Sequence, residues 1–198
     1  MSKEASVSML VLARLLAIAT LIGTGDVMAH ESMGNPSTGQ DTAGALKVSK
    51  ASERETVLTY TFDAPRQLVF DALTQPDLLN RWYGPRGWSL VACDIDLKVG
   101  GAYRFVWRRP NGTEIGVQGA YREVKPPERF VRTESFVPAW PGGGIVSTTA
   151  LIEEGGKTKV AITSLYESQK ARDDDVKAAQ HGATESFARL AELLAELR

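Results

Sequence analysis

From residue 54 onward, apolar and polar positions repeat with the periods of regular secondary structure. The segment 56–62 is rich in β-branched and aromatic residues, which favours a strand. A helical stripe follows between residues 68 and 73, and a second short helix follows Pro76. Gly84 and Pro85 must end that second helix, because proline cannot continue it and glycine tolerates the exit.

The next hundred residues predict a meander of antiparallel strands. Glycine and proline dividers bound six segments, at about 88–97, 102–109, 113–124, 128–136, 145–153 and 157–166. A long helix then covers about 174–197, because apolar residues recur there at steps of three and four. Small residues fill the first half of that helix, which leaves room for a cavity beneath it or allows closer packing against the sheet.

The first hairpin of the meander allows a register prediction. With residues 98–102 as its loop, the apolar pairs are Leu97 with Tyr103, Ile95 with Phe105, and Cys93 with Trp107. Asp96 then lies opposite Arg104, and Asp94 is diagonal to Arg104 and Arg108. Apolar pairs share one face of the hairpin, so we predict a half-buried sheet in which Cys93 is a buried small hydrophobe and not a nucleophile.

The amino-terminal part has a different character. Residues 1–29 combine Lys3, a short apolar run and a small-residue site ending at Ala29, a pattern typical of a cleaved signal peptide. Arg14 and Glu4 depart from that pattern, and a misplaced start or a buried helix is the alternative. Residues 30–53 are polar and aperiodic, so we predict a flexible tether. These features favour export to the periplasm or medium; without cleavage the protein would be cytoplasmic.

Composition narrows the classes of function. The formal net charge of −1 gives no field for nucleic acid or an anionic membrane, and the apolar run is too short for a stable span. One cysteine and two histidines leave little for a metal site, so we expect no metal and no cofactor.

Five segments carry a resemblance to a known family: FDAPRQLVFDALTQPDLLNRWYGPRGW, KVGGAYRF, GAYREVKPPERFVRTESF, GGKTKVAITSLYES and ATESFARLAELL. Together they resemble bacterial homologues of the HSP-90 ATPase activator C-terminal domain, within the START-like or SRPBCC superfamily. The resemblance covers 54–198 and implies an α+β helix-grip fold. In that fold, a curved antiparallel sheet of about seven strands wraps a long C-terminal helix, with two short helices after the first strand. This chain departs from the family pattern at Gln75, Tyr83 and Ala183.

The resemblance implies a fold more than a function, since relatives include lipid carriers, hormone receptors and cyclases. We favour a non-catalytic domain that binds a small hydrophobic or aromatic molecule, such as a lipid, between the sheet and the long helix. The aromatic residues proposed to contact the ligand are Trp82, Trp88, Tyr103, Phe105, Trp107, Trp140 and Phe187. Equally, the strand aromatics of this set could simply form the core.

The sequence is also compatible with two other functions. In a cyclase- or hydrolase-like enzyme, Arg132 and Glu134 would act from the cavity, on the face shared with Phe130 and Phe136. We favour instead an exposed Arg132–Glu134 pair, because unpaired buried charges are costly. The other alternative, implied by the family, is a co-chaperone of an HSP-90-type ATPase, which requires a cytoplasmic protein.

Overall fold

A computed structural model describes residues 44–84 and 86–198, without the side chains of 177–182. The strands are β1 (Lys47–Ser52), β2 (Glu55–Phe62), β3 (Ser89–Ile95), β4 (Ala102–Arg108), β5 (Glu114–Lys125), β6 (Arg129–Val137), β7 (Ile145–Glu154) and β8 (Lys157–Tyr166). The helices are α1 (Arg66–Thr74), α2 (Pro76–Trp82) and α3 (Gln169–Glu196). None of the helices in the described part is long and apolar enough to cross a bilayer.

All strands join one antiparallel sheet in the order β1-β2-β8-β7-β6-β5-β4-β3. The chain therefore leaves the sheet after β2, forms α1 and α2, and returns at the far edge with β3. From β3 to β8 each strand pairs with the next along the sequence, as the turn residues predict. The α+β class and the helix-grip arrangement are thus confirmed.

Within residues 44–84 and 86–198 the sheet has eight strands, not about seven, and the added one lies in the predicted tether. Strand β1 pairs with β2 at the sheet edge, from Lys47 opposite Thr59 to Ser52 opposite Glu55. Five of its six residues are exposed, so the strand has no alternation of apolar residues from which the sequence could predict it. Backbone hydrogen bonds to β2 hold it in the sheet. The tether prediction is wrong for these residues and the domain begins before 54, while residues 1–43 lie outside the described part.

The helix α3 packs across the concave face of the sheet. It begins at Gln169, earlier than predicted, because the Ser168 hydroxyl caps it by accepting the Ala171 N–H at 3.1 Å. Its second half buries a stripe against the core, consisting of Ala183, Phe187, Leu190, Leu193 and Leu194. The first turns bury polar groups instead, including Asp175.

The first hairpin is shifted by two residues from the predicted register. Ile95 lies opposite Tyr103 and Cys93 opposite Phe105, with Asp94 opposite Arg104. The loop runs from 96 to 101, where a Cβ atom on Gly101 would lie only 2.0 Å from the Asp96 carbonyl oxygen. A two-residue shift keeps every side chain on its predicted face, so the inward face remains Cys93, Tyr103, Phe105 and Trp107.

The described residues 82–84 and 86–88 extend from the last residue of α2 to the start of β3 and close the core at one end. Trp82 is buried and its indole Nε1–H donates to the Ala72 carbonyl at 2.9 Å. Gly84 has φ of +119°, and a Cβ atom there would lie 2.7 Å from the Trp107 ring. Trp107 in turn donates to the Tyr83 carbonyl at 2.9 Å. Glycine is therefore required at residue 84 for both conformation and close packing.

Candidate ligand-binding cavity

A cavity of about 110 Å³ lies between the concave face of the sheet and α3. Residues of β2, β6, β7 and β8 line one side, while Asp175, Val176 and Phe187 of α3 line the other. A water molecule needs roughly 10–15 Å³ by this measure, so the volume holds several waters or a small organic molecule.

Apolar side chains form most of the cavity wall. Of the aromatic residues proposed from sequence, Trp82, Phe105 and Phe187 line it, and so does Tyr83. Aliphatic side chains complete this part of the wall: Val48, Leu58, Leu73, Leu79, Val117, Ile162 and Val176. The wall therefore suits an apolar or aromatic body.

The other four proposed aromatics do not line the cavity. Tyr103 is buried beside it and its hydroxyl donates to the Thr133 carbonyl at 2.8 Å. Trp107 packs under the corner at Tyr83, and Trp88 lies beneath the Arg109 guanidinium at 4.5 Å. Trp140 is half-buried and packs edge-on against Phe136. These side chains contribute core or flanking contacts.

Arg132 and Glu134 point inward and line the cavity, so the exposed pair favoured from sequence is wrong. The side chains are 14% and 5% exposed, with Arg132 Nε 3.2 Å from Glu134 Oε1. The guanidinium also lies 4.7 Å from the centre of the Tyr103 ring. Pairing and stacking offset the desolvation cost that argued against burial.

The groups around Arg132 keep its guanidinium protonated and positively charged. Burial by itself lowers the pKa of the Arg132 guanidinium. Tyr103 and Glu134 raise it by more than burial lowers it, so the pKa ends well above its ordinary value. Burial also raises the pKa of the Tyr103 hydroxyl. A cationic Arg132 beside neutral Tyr103 is therefore the resting state of this part of the cavity.

A row of polar side chains that was not predicted from the sequence crosses the concave face of the sheet. Strand pairing places Arg132 opposite Ser147, Ser147 opposite Ser164, and Ser164 opposite Thr56. All four line the cavity, together with Thr149 one inward position further along β7. Strand parity could have found them: once Ile145 and Leu151 are placed inward, Ser147 and Thr149 share their face.

Two further polar side chains, Tyr166 and Asp175, lie at the Thr56 end of this row. The Tyr166 hydroxyl donates to Asp175 Oδ2 and lies 3.3 Å from the Thr56 hydroxyl oxygen. Asp175 and Tyr166 are both buried and both line the cavity. This contact joins the first turns of α3 to β8 and β2 through polar atoms.

Neither the Cys93 thiol nor a metal-binding cluster adds a reactive group to the cavity in the described part of the chain. Cys93 is half-buried, and burial raises the pKa of its thiol to about 11, with Asp94 and Asp77 adding to the shift. Its thiol is thus not activated. Among the described residues no cluster of His, Cys, Asp and Glu could hold a metal ion.

Comparison with known proteins agrees with the fold. The family model described as "Activator of Hsp90 ATPase homolog 1-like protein" matches residues 63–195. A solved structure from Rhodobacter sphaeroides is 28% identical, with a TM-score of 0.73 over 77% of this chain and 99% of that one. A Nitrosomonas europaea protein is 26% identical, with a TM-score of 0.66 over 74% and 97%.

An AHSA1 protein from Silicibacter pomeroyi, 21% identical over 73% of this chain and 99% of that one, has a TM-score of 0.61 and supports the fold alone. No curated protein matches the chain. Because the family model covers well over half of the sequence and the fold agrees, the chain belongs to the family of Activator of Hsp90 ATPase homolog 1-like proteins, within the START-like superfamily.

Proposed function

We propose that this START-like domain binds a small hydrophobic or aromatic molecule in the cavity between the sheet and α3. The observation that carries the proposal is the cavity itself, about 110 Å³ in volume and walled mainly by aromatic and aliphatic side chains. Binding would replace cavity water with apolar contacts, which is favourable at about 25 cal/mol per Å² of buried apolar surface.

The volume limits the ligand's size. An engineered apolar cavity of about 150 Å³ binds benzene, so this cavity suits a body of about one ring. A long acyl chain would have to extend out of the mouth or open the cavity. The lipid ligand considered from sequence is therefore less suited than a compact aromatic one.

The test uses fluorobenzene as a one-ring probe, with its ¹⁹F resonance followed during titration of the full-length protein. We expect saturable binding that Val176→Phe abolishes, because Val176 lines the cavity and the larger side chain fills it. Val91→Phe is the matched control, since Val91 is 43% exposed on β3. Binding that does not saturate, or that both variants retain, would refute the proposal.

Native mass spectrometry identifies the natural ligand. The protein purified from its own host should carry a small molecule at a one-to-one ratio, and Val176→Phe purified in parallel should lack it. Loss of the same mass from Val91→Phe would show that the bound molecule lies elsewhere.

A second candidate function is enzymatic, and one observation favours it: Glu134 and Arg132 both line the cavity. A cyclase- or hydrolase-like reaction would use Glu134 to move a proton while Arg132 orients a carbonyl group. Glu134→Gln keeps the shape of the side chain and removes the base. With a substrate whose turnover has been demonstrated, unchanged kcat in this variant would eliminate Glu134 from that role.

We further propose that the protein is exported, on the pattern of residues 1–29. Fractionation of the host decides this, with the mass of the native protein as the readout. A periplasmic or secreted form beginning near His30 supports export and excludes a cytoplasmic HSP-90-type partner. A full-length cytoplasmic form refutes export and favours the co-chaperone alternative that the family name suggests.

A further inference from the structure

We infer that the ligand is an uncharged ring compound bearing a hydroxyl or carbonyl group, recognised by the hydroxyls of β7 on the cavity floor. The inference rests on the proposed function and adds the chemical class of the ligand. Ser147 and Thr149 are its central residues, because both face the cavity from the middle of the sheet.

Both residues are buried, and Thr149 has apolar neighbours on the adjacent strands. Ser147 is 2% exposed and Thr149 is 4% exposed, yet Thr149 lies opposite Phe130 on one side and Ile162 on the other. Both side chains line the cavity, where a polar group of a bound molecule can reach their hydroxyls. A ligand that excludes water from these hydroxyls loses affinity unless it hydrogen-bonds to them, so a polar group on the ligand is favoured here.

Their neighbours extend the polar row in both directions. Ser147 lies between Arg132 and Ser164, and Ser164 lies opposite Thr56. Serine and threonine hydroxyls both donate and accept hydrogen bonds, so the row suits an oxygen group of either kind. The facing wall contains apolar side chains beside Asp175, and among them Trp82 and Phe187 are placed to contact the ring.

The charges around the cavity disfavour an anionic ligand. Of the described lining residues, Glu134 and Asp175 carry carboxyl groups and Arg132 is the one cationic side chain. The Arg132 guanidinium is already paired with Glu134. A ligand carboxylate would therefore approach two carboxyl groups without a free positive partner.

A cationic ligand is also disfavoured. The Glu134 carboxylate accepts from Arg132, and Asp175 accepts from the Tyr166 hydroxyl, so an ammonium group would have to displace an existing donor. The desolvation of the ammonium would add to that cost. An uncharged hydroxyl or carbonyl group avoids both penalties and can hydrogen-bond to the Ser147 and Thr149 hydroxyls.

The test compares one-ring probes of nearly equal size: phenol, toluene, benzoate and benzylamine. Each competes with fluorobenzene for the full-length protein, and the ¹⁹F signal gives its affinity. We expect phenol to bind about tenfold more tightly than toluene, the gain expected from one or two hydrogen bonds. Benzoate and benzylamine should both bind more weakly than phenol.

Two variants test whether the Ser147 and Thr149 hydroxyls recognise the polar group of the ligand. Ser147→Ala and Thr149→Val each remove a hydroxyl with little change in shape, and we expect them to reduce the preference for phenol over toluene several-fold. Toluene affinity should stay within about twofold of wild type. Ser135→Ala is the control, because Ser135 lies on the exposed face of β6 and should leave every affinity unchanged.

The outcomes separate this inference from the proposed function. Equal, saturable binding of phenol and toluene would overturn the inference and leave a cavity that binds apolar rings. Tighter binding of benzoate or benzylamine would overturn it in favour of a charged ligand class. A phenol preference unaffected by both variants would also overturn it, and no saturable binding by any probe would refute the proposed function itself.

Discussion

Arg132→Met should destabilise the protein strongly, because it leaves the Glu134 carboxylate buried without its cation. The Nε to Oε1 distance of 3.2 Å gives about 5 kcal/mol of attraction at an effective dielectric constant of about 20. Methionine avoids the desolvation cost of the guanidinium, which offsets part of the loss. A net loss of about 3–5 kcal/mol in the free energy of unfolding is therefore expected.

Urea unfolding of the full-length protein, followed by far-ultraviolet circular dichroism, measures this loss. For a slope of about 2 kcal/mol per molar urea, a loss of about 4 kcal/mol lowers the midpoint by about 2 M. Adding Glu134→Gln to Arg132→Met removes the unpaired charge and should recover much of the stability. The double-mutant cycle should give a coupling energy above about 2 kcal/mol.

The matched control is Arg104→Met, which breaks an exposed arginine–carboxylate pair on the other face of the same sheet. Arg104 Nη1 lies 3.8 Å from Asp94 Oδ2, and the side chains are 54% and 72% exposed. Removing that pair should cost less than about 1 kcal/mol. If Arg132→Met costs no more than Arg104→Met, or if the coupling energy is near zero, the buried pair does not exist as described.

Two substitutions and one labelling measurement test the packing of the sheet and core. Gly119→Ala would place a Cβ atom 1.9 Å from the Thr133 carbonyl oxygen and should cost about 3 kcal/mol in urea unfolding. Trp82→Phe removes the hydrogen bond to the Ala72 carbonyl and should cost about 1–3 kcal/mol by the same measurement. Because burial raises the pKa of the Cys93 thiol to about 11, iodoacetamide at pH 8 should react only slowly, and faster as the pH rises toward 11.

Each of these has its own control. Gly116→Ala places its Cβ 3.1 Å from the nearest atom and should cost less than Gly119→Ala; the reverse order contradicts the strand packing. For Trp82, equal stability of wild type and Trp82→Phe would show that the indole bond contributes nothing. Urea-unfolded protein gives the reference rate for Cys93, and native protein reacting equally fast at pH 8 would contradict its burial.

The sequence predicted the order of elements well, because glycine and proline dividers and strand alternation are local signals. It could not fix the first hairpin register, since a two-residue shift preserves the face of every side chain. It also missed β1, whose residues are mostly exposed and whose pairing depends on backbone hydrogen bonds. Such an edge strand leaves no hydrophobic pattern to read.

For the site, strand parity grouped Arg132 with Glu134 but left open which face was inward. Phe130 and Phe136 on the same face decide it, because burying two aromatic side chains gains about 1.5–3 kcal/mol each. The contact between Arg132 and Glu134 then reduces the cost of burying both charges. The row through Ser147 and Ser164 needed the pairing of β7 with β8, which is not a local property of the sequence.

The position of a bound ring tests the proposed ligand-binding function most directly. Nuclear Overhauser contacts between fluorobenzene and methyl groups of the full-length protein give that position. The cavity predicts contacts to the lining residues Leu58, Val117 and Ile162. Contacts only to the exposed residues Val91, Val99 and Ile152 would place the probe on the surface and contradict ligand binding between the sheet and α3.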